Sequence, residues 1–240
     1  DKTTSFYISA NYIDQTTSMV GNDIDRLNAR INLTHKISDK VKFGTNIGIA
    51  RTINNRIGAE NSTFAPFTGS ALQNPTVLAF DSEGNYTRTG FIPNLVALEE
   101  IELNELKTRR LTGNIFVEAE LFSGLIVKTD LGIDQLQNEQ QQRFPDLINP
   151  GGTAFKSIAQ DLKYLTTTTA RYEKEFGKSI ISLLGGISYE VRENENISVA
   201  GSDFVADEVP NVGSAATPTT NSDSGGDWTS DSVFSRSGSK

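Results

Sequence analysis

Arg26-Leu27-Asn28-Ala29-Arg30-Ile31-Asn32-Leu33-Thr34 alternates strictly between apolar and polar side chains. Leu27, Ala29, Ile31 and Leu33 share one face, and Arg26, Asn28, Arg30, Asn32 and Thr34 share the other. A period of two is the signature of a strand whose faces meet different surroundings. After the short link Ile37-Ser38-Asp39-Lys40, residues 41–50 repeat the scheme, with Val41, Phe43, Thr45, Ile47 and Ile49 against Lys42, Gly44, Asn46, Gly48 and Ala50. Two such strands joined by a tight turn are the unit of an antiparallel sheet.

Working outward, the same alternation marks strands near 4–13, 26–36, 41–52, 109–121, 125–136, 163–175 and 179–192, with an eighth entered around Ser232-Val233-Phe234. Leu111, Ile115, Val117, Ala119 and Leu121 oppose Thr112, Asn114, Glu118 and Glu120. Leu125, Val127, Leu131 and Ile133 oppose Lys128, Asp130 and Asp134, and Ile181, Leu183, Ile187, Tyr189 and Val191 oppose Ser182, Ser188, Glu190 and Arg192. Charges so placed are costly in a closed soluble core but cost little on a water-filled lumen. Connections fall into two classes. Short ones lie at Ser38-Asp39-Lys40, Phe122-Ser123-Gly124 and Phe176-Gly177-Lys178, and long ones cover about 14–25, 53–108, 137–162 and 193–231. Repeated structureless loops of that length are foreign to compact soluble domains. Short turns alternating with long loops are what an outer-membrane barrel requires, so the fold class is all-β, a segment of about seven or eight strands of a larger antiparallel barrel. Thr217 to Ser232, rich in Ser, Thr, Gly and Asp, reads as a mobile, solvated loop. Val96 to Ile101 reads as a helical turn.

Composition agrees. Hydrophobic residues make up 36% of the 240 residues, and no apolar run approaches a spanning helix. A net charge of -8 without a basic stripe excludes a nucleic-acid surface. There is no cysteine, hence no disulfide and no thiolate metal site. The chain enters a strand almost at once and closes on the polar Ser235-Arg236-Ser237-Gly238-Ser239-Lys240, so both ends are expected to be cut ends of a longer barrel.

Several segments resemble the SusC/RagA family of TonB-dependent outer-membrane transporters from Bacteroidetes. They are Tyr7-Ile8-Ser9-Ala10-Asn11-Tyr12 with Arg26 to Leu33, His35 to Asn46 and Asn54-Asn55-Arg56; Ala71-Leu72-Gln73-Asn74-Pro75 with Phe80 to Tyr86; Thr108 to Asn114 leading to Leu131-Gly132-Ile133-Asp134; Phe176-Gly177-Lys178 with Leu184-Gly185-Gly186; and Gly201-Ser202-Asp203-Phe204 with Asp207 to Asn211. They occur in the family's order along most of the chain. One departure is Asn94-Leu95, where the family commonly has Asn-Pro. The resemblance implies a middle portion of a 22-stranded barrel, without the plug, the TonB box or the terminal strand. It also implies an importer of glycans or peptides, energised through TonB and lidded by a SusD-like lipoprotein, with no cofactor and no covalent chemistry.

Under that reading Arg30, Asn32, Asn46, Asn114, Glu118, Glu120, Lys128 and Asp130 line plug or solvent. Phe64, Phe67, Phe80, Tyr86 and Phe91 crowd the longest loop, most of them as a small loop core and the exposed remainder as a partner surface. His35 is the single histidine, so neither a His-based triad nor a multi-His metal site can be built. It is expected to be a solvated turn neighbour. Glu99 and Glu100 are adjacent on a helical turn and read as a solvated face rather than an acid/base pair. Asp203, Asp207 and Glu208 cluster as oxygen ligands do around calcium, but fit no EF-hand and read as a structural loop. Asp81 to Asn85 reads as a hairpin turn with Gly84 or Asn85 left-handed. The rival reading is a non-transporting surface β-protein, an adhesin or glycan-binding module; a barrel-embedded hydrolase has no motif to support it.

Overall fold

The structure, a computed structural model, describes residues 3–58, 62–177, 179–206, 209 and 211–239, with the backbone alone at Phe176 and Ser239. Eight strands form one sheet in sequence order: β1 (Thr4–Thr16), β2 (Asp23–Lys36), β3 (Val41–Asn55), β4 (Leu103–Phe122), β5 (Leu125–Phe144), β6 (Thr153–Phe176), β7 (Ser179–Phe204) and β8 (Ala215–Ser239). Every neighbouring pair is antiparallel. Two short helices, α1 (Pro66–Leu72) and α2 (Leu95–Ile101), sit between β3 and β4.

The register joins the polar positions of successive strands into common rows. Asn32 faces Asn46, Asn46 faces Asn114, and Asn114 faces Gly132. Cross-strand partners point the same way, so the polar face is continuous from β1 to β8. The opposite face carries Phe6, Ile8, Leu27, Ile31, Ile47, Ile115, Leu131 and Ile187, all more than two-fifths exposed. Among the described residues nothing covers them. The buried apolar residues, Ala65, Ala97, Leu98, Ile148 and Ala154, all lie toward the long-loop end. A single-layer sheet with an uncovered apolar face is unstable in water and stable against lipid. Among the described residues no helix is long and apolar enough to cross a membrane. On β5 the apolar stretch Leu125–Ile133 covers roughly nine residues, which at ~3.3 Å each and a tilt of ~40° span about 23 Å. That height matches the band of a membrane barrel.

Turns follow the chemistry of their residues. Gly124 takes φ +88°, and a Cβ there would lie 2.2 Å from the carbonyl oxygen of Glu173. Only glycine fits. On the polar face the bare backbone of Gly44 receives the Phe116 ring, where a Cβ would come within 2.3 Å of it.

The strands outrun the sequence reading at the long-loop end. β5 continues to Phe144 rather than 136, β7 to Phe204 rather than 192, and β4 begins at Leu103 rather than 109. The loops shrink to 17–22, 56–102, 145–152 and 205–214. Thr217 to Ser232 is not a mobile loop; it lies in β8, paired along β7 from Phe204↔Ala215 to Ile181↔Ser239. The cause is solvent. Once a strand rises past the apolar band both faces meet water, so alternation disappears while the backbone ladder continues on the neighbour's template.

Candidate functional site: the polar wall and its loop body

Arg30, Asn32, Asn46, Asn114, Glu118, Glu120, Lys128 and Asp130 all fall on the polar face, as the register places them. Five of the eight make side-chain bonds. Asn46 Nδ2 donates to Asn114 Oδ1 at 2.7 Å, and Asn114 Nδ2 to Asp130 Oδ1 at 3.3 Å. Lys128 Nζ lies 2.9 Å from Asp130 Oδ2 and 4.6 Å above the Phe116 ring. Lys42 Nζ reaches Glu118 Oε1 at 2.8 Å, which links that carboxylate to β3. Arg30, Asn32 and Glu120 make no side-chain hydrogen bond or ion pair among the described residues, and Arg30 lies between two shallow grooves that include Tyr7, Asn28, Gly48 and Thr112.

Four ion pairs on this face escape a reading of single strands. Two of them are bidentate arginine forks: Arg110 Nε and Nη2 donate to Asp134 Oδ1 and Oδ2 at 3.0 and 2.7 Å, and Arg192 Nε and Nη2 donate to Asp161 Oδ1 and Oδ2 at 3.1 and 2.5 Å. The others are Lys42–Glu118 at 2.8 Å and Lys163–Glu190 at 3.7 Å. Both arginine forks are diagonal across strands, so the signal that finds them is register, not spacing. These pairs are half exposed, Arg110 at 52% and Asp134 at 31%, so each is worth only about 0.2–1 kcal/mol. Their effect is to hold alternating charge in fixed positions on a wetted wall.

At the long-loop end three loops become one body. Asn94 caps α2, its Oδ1 accepting from the Ala97 N–H at 3.2 Å, while its Nδ2 donates to the carbonyls of Ala79 at 2.7 Å and Thr87 at 3.0 Å. At 3% exposure it is the hub of the long loop, and it stands where the departure from Asn-Pro had left the conformation unread. Ala97, Leu98 and Ile148 form the core, with Phe64, Tyr86, Leu95, Phe144 and Leu147 against it. Phe64 meets Phe144 edge-on at 5.1 Å. Phe80 pairs with Tyr86 across the Asp81–Asn85 turn, where Gly84 takes φ +86°. Phe67 and Phe91 remain 72% and 87% exposed, and Phe80 44%.

Electrostatics tie the loops together. The Asn85 N–H, with further donors from Glu83, holds the Asp81 carboxyl below its ordinary range. The Tyr86 hydroxyl donates to Glu100, which raises its pKa. Burial raises Glu102. Asp146, lowered by the Gly151 N–H and by Arg88, joins the long loop to the β5–β6 loop through that ion pair. Arg143 stacks 4.5 Å over Phe204 and donates to the Val209 carbonyl at 3.2 Å, which brings in the β7–β8 loop.

Among the described residues no group of three or more His, Asp or Glu could hold a metal. Of the cluster weighed for calcium, Asp203 accepts from Ser202 Oγ at 3.0 Å with φ 61°, and Asp207 and Glu208 lie outside the described residues. His35 is not merely solvated: its Nδ1 lies 2.8 Å from Thr4 Oγ1. Glu99 and Glu100 share no bond, and Glu100 serves Tyr86.

No family model matches the chain. TonB-dependent receptor P3 of Formosa agariphila is 27% identical over 217 residues, covering 85% of this chain and 22% of that protein. The chain thus spans about a fifth of the length of this curated relative. The RagAB peptide importer in its open-open state superposes with a TM-score of 0.78 at 19% identity, over 100% of this chain and 28% of that one. The ferric-catecholate import receptor Fiu of E. coli, open form, gives 0.56 at 11% identity over 98% and 37%. The fold is that of the wall of these outer-membrane β-barrels.

Proposed function

We propose that this chain, a wall segment of an outer-membrane β-barrel of the TonB-dependent receptor and SusC/RagA type, serves an importer of glycans or peptides that TonB energises and a SusD-like lipoprotein lids. Its polar face then borders plug or cargo. Its long loops face outward, as in outer-membrane barrels generally. The observation that carries the reading is the charge-linked wall from Lys42–Glu118 to Arg192–Asp161, which suits a hydrated passage and no buried core. The work is binding, gating and passage rather than bond-making. Phe67 and Phe91 are the aromatic groups left free for the lipoprotein, while Phe64 and Tyr86 serve the loop's own core.

The test is uptake by whole cells expressing the intact receptor. Labelled oligosaccharides and oligopeptides are supplied with TonB present and with TonB deleted. TonB-dependent uptake of one class is the expected result. Uptake of neither, with the cells still binding the sugar or adhering, would overturn the importer in favour of a surface adhesin or glycan-binding protein.

A further inference from the structure

On the apolar side of the wall, one row above Ile49 and Leu111, where the unbroken apolar runs of β3 and β4 stop, Arg51 stands directly opposite Arg109. Like charges directly opposite on neighbouring strands destabilise a sheet, and both groups are exposed. The carboxylates nearest them hold other partners, and of these Glu139 alone feels the charge of Arg109. Asp25 accepts from the Tyr12 hydroxyl at 3.1 Å, Glu105 is held by Lys107 at 2.5 Å, and Glu139, within the field of Arg109, is held by Lys156 at 2.8 Å. Neither guanidinium makes a hydrogen bond or ion pair among the described residues. Beneath them the wall turns apolar. Leu27, Ile49 and Leu111 line a groove of about 300 Å³ together with Arg51, Arg109 and Gln137. Ile49 pairs with Leu111 immediately below the arginines, and Leu27 lies beside Arg51.

We propose that this pair binds the phosphate of an outer-leaflet lipid, the two guanidinium forks on the phosphate oxygens and an acyl chain against Leu27, Ile49 and Leu111. The assignment rests on the membrane placement of the apolar band and on the outward orientation of the long loops, and is independent of cargo. Height is the first argument: the row lies where the unbroken apolar run gives way to Arg51, Arg109 and Gln137, at the level of headgroups. Chemistry is the second. Planar forks match a phosphate's oxygens in a way a single ammonium does not, and the anion offsets the repulsion between the arginines. A lipid is favoured over a free anion because the charged rim and the apolar floor are contiguous.

The probe is phosphorylated lipid A, added to the intact receptor in detergent and read by native mass spectrometry, beside the same lipid dephosphorylated and beside inorganic phosphate. Wild type is expected to retain the phosphorylated lipid. Arg51→Gln with Arg109→Gln is expected to weaken it about ten-fold for each arginine, and Arg51→Lys with Arg109→Lys to weaken it less. The dephosphorylated lipid should bind wild type no better than the glutamine pair binds the phosphorylated one. Equal affinity for the two lipids, or an unchanged glutamine pair, overturns the proposal. Inorganic phosphate competing at equal concentration overturns the lipid as the source. Should the glutamine pair fail to fold, the discrimination by wild type between the two lipids decides.

Discussion

Ile47 and Ile197 are both turned away from the polar face, and they are equally uncovered by protein, 41% and 42% exposed. They sit in different regions of one sheet. Ile47 lies in the short-turn half, flanked across the ladder by Ile31 and Gly113, with Ile49 and Thr45 beside it on its own strand. Ile197 lies in the long-loop half, beyond Glu193 and Glu195, and faces Asp223 on β8. The ladder is the same in both. What differs is the medium on the outer side, hydrocarbon in one half and water in the other, and accessibility measured on the protein alone is blind to it.

The comparison breaks most readily under charge. Ile47→Arg should cost about 2–4 kcal/mol in the intact barrel, as charge near a bilayer midplane does. Asn46→Arg, one residue away on the wetted face, should be tolerated. Urea unfolding in lipid vesicles checks both, and equal losses would reverse the facing of the whole sheet.

Gly44→Ala tests the polar side of the same half. Its Cβ meets the Phe116 ring, so a loss of about 1–3 kcal/mol is expected from the forced shift. Adding Phe116→Ala should recover part of it, which a double-mutant cycle in the same vesicles will show.

In the long-loop half, Asn94→Ala removes a cap and two buried carbonyl bonds, for about 1–3 kcal/mol. The loss should be confined to the loop body: hydrogen exchange over 62–102 should accelerate while exchange in β4 and β5 does not. Acid should loosen the same body at the Arg88–Asp146 tie. The Asp146 carboxyl is lowered from 3.8 by the Gly151 N–H and Arg88, so its contribution is present above that ordinary value and is lost as pH falls through the lower folded value. Limited proteolysis between pH 6 and pH 3 reads it, and cleavage that does not rise at the acid end would remove this tie from the account.

The smallest effect sharpens the opening contrast. Ile197→Arg, the same change as at Ile47, should stay within about 0.5 kcal/mol, as surface substitutions in water do. A cost matching that of Ile47→Arg would place the membrane boundary above β7's Glu195 and reduce the long-loop half to its loops.

These two halves also divide what could be read. Period two alone determined the three hairpins, the facing of β2, β3, β4, β5 and β7 and the polar assignment of residues such as Asn46 and Asp130, because lipid on one side and water on the other impose opposite demands on successive side chains. Where water meets both sides that demand lapses. Thr217 to Ser232 then looked like loop, and its strand identity was decided by the β7 template. The partners Arg110–Asp134 and Arg192–Asp161 needed the register, since diagonal neighbours come from strands 24 and 31 residues apart in sequence. Asn94, Leu98 and Ile148 come from two loops, and only their packing in space made one core of them, because contacts between loops leave no periodic trace in the chain.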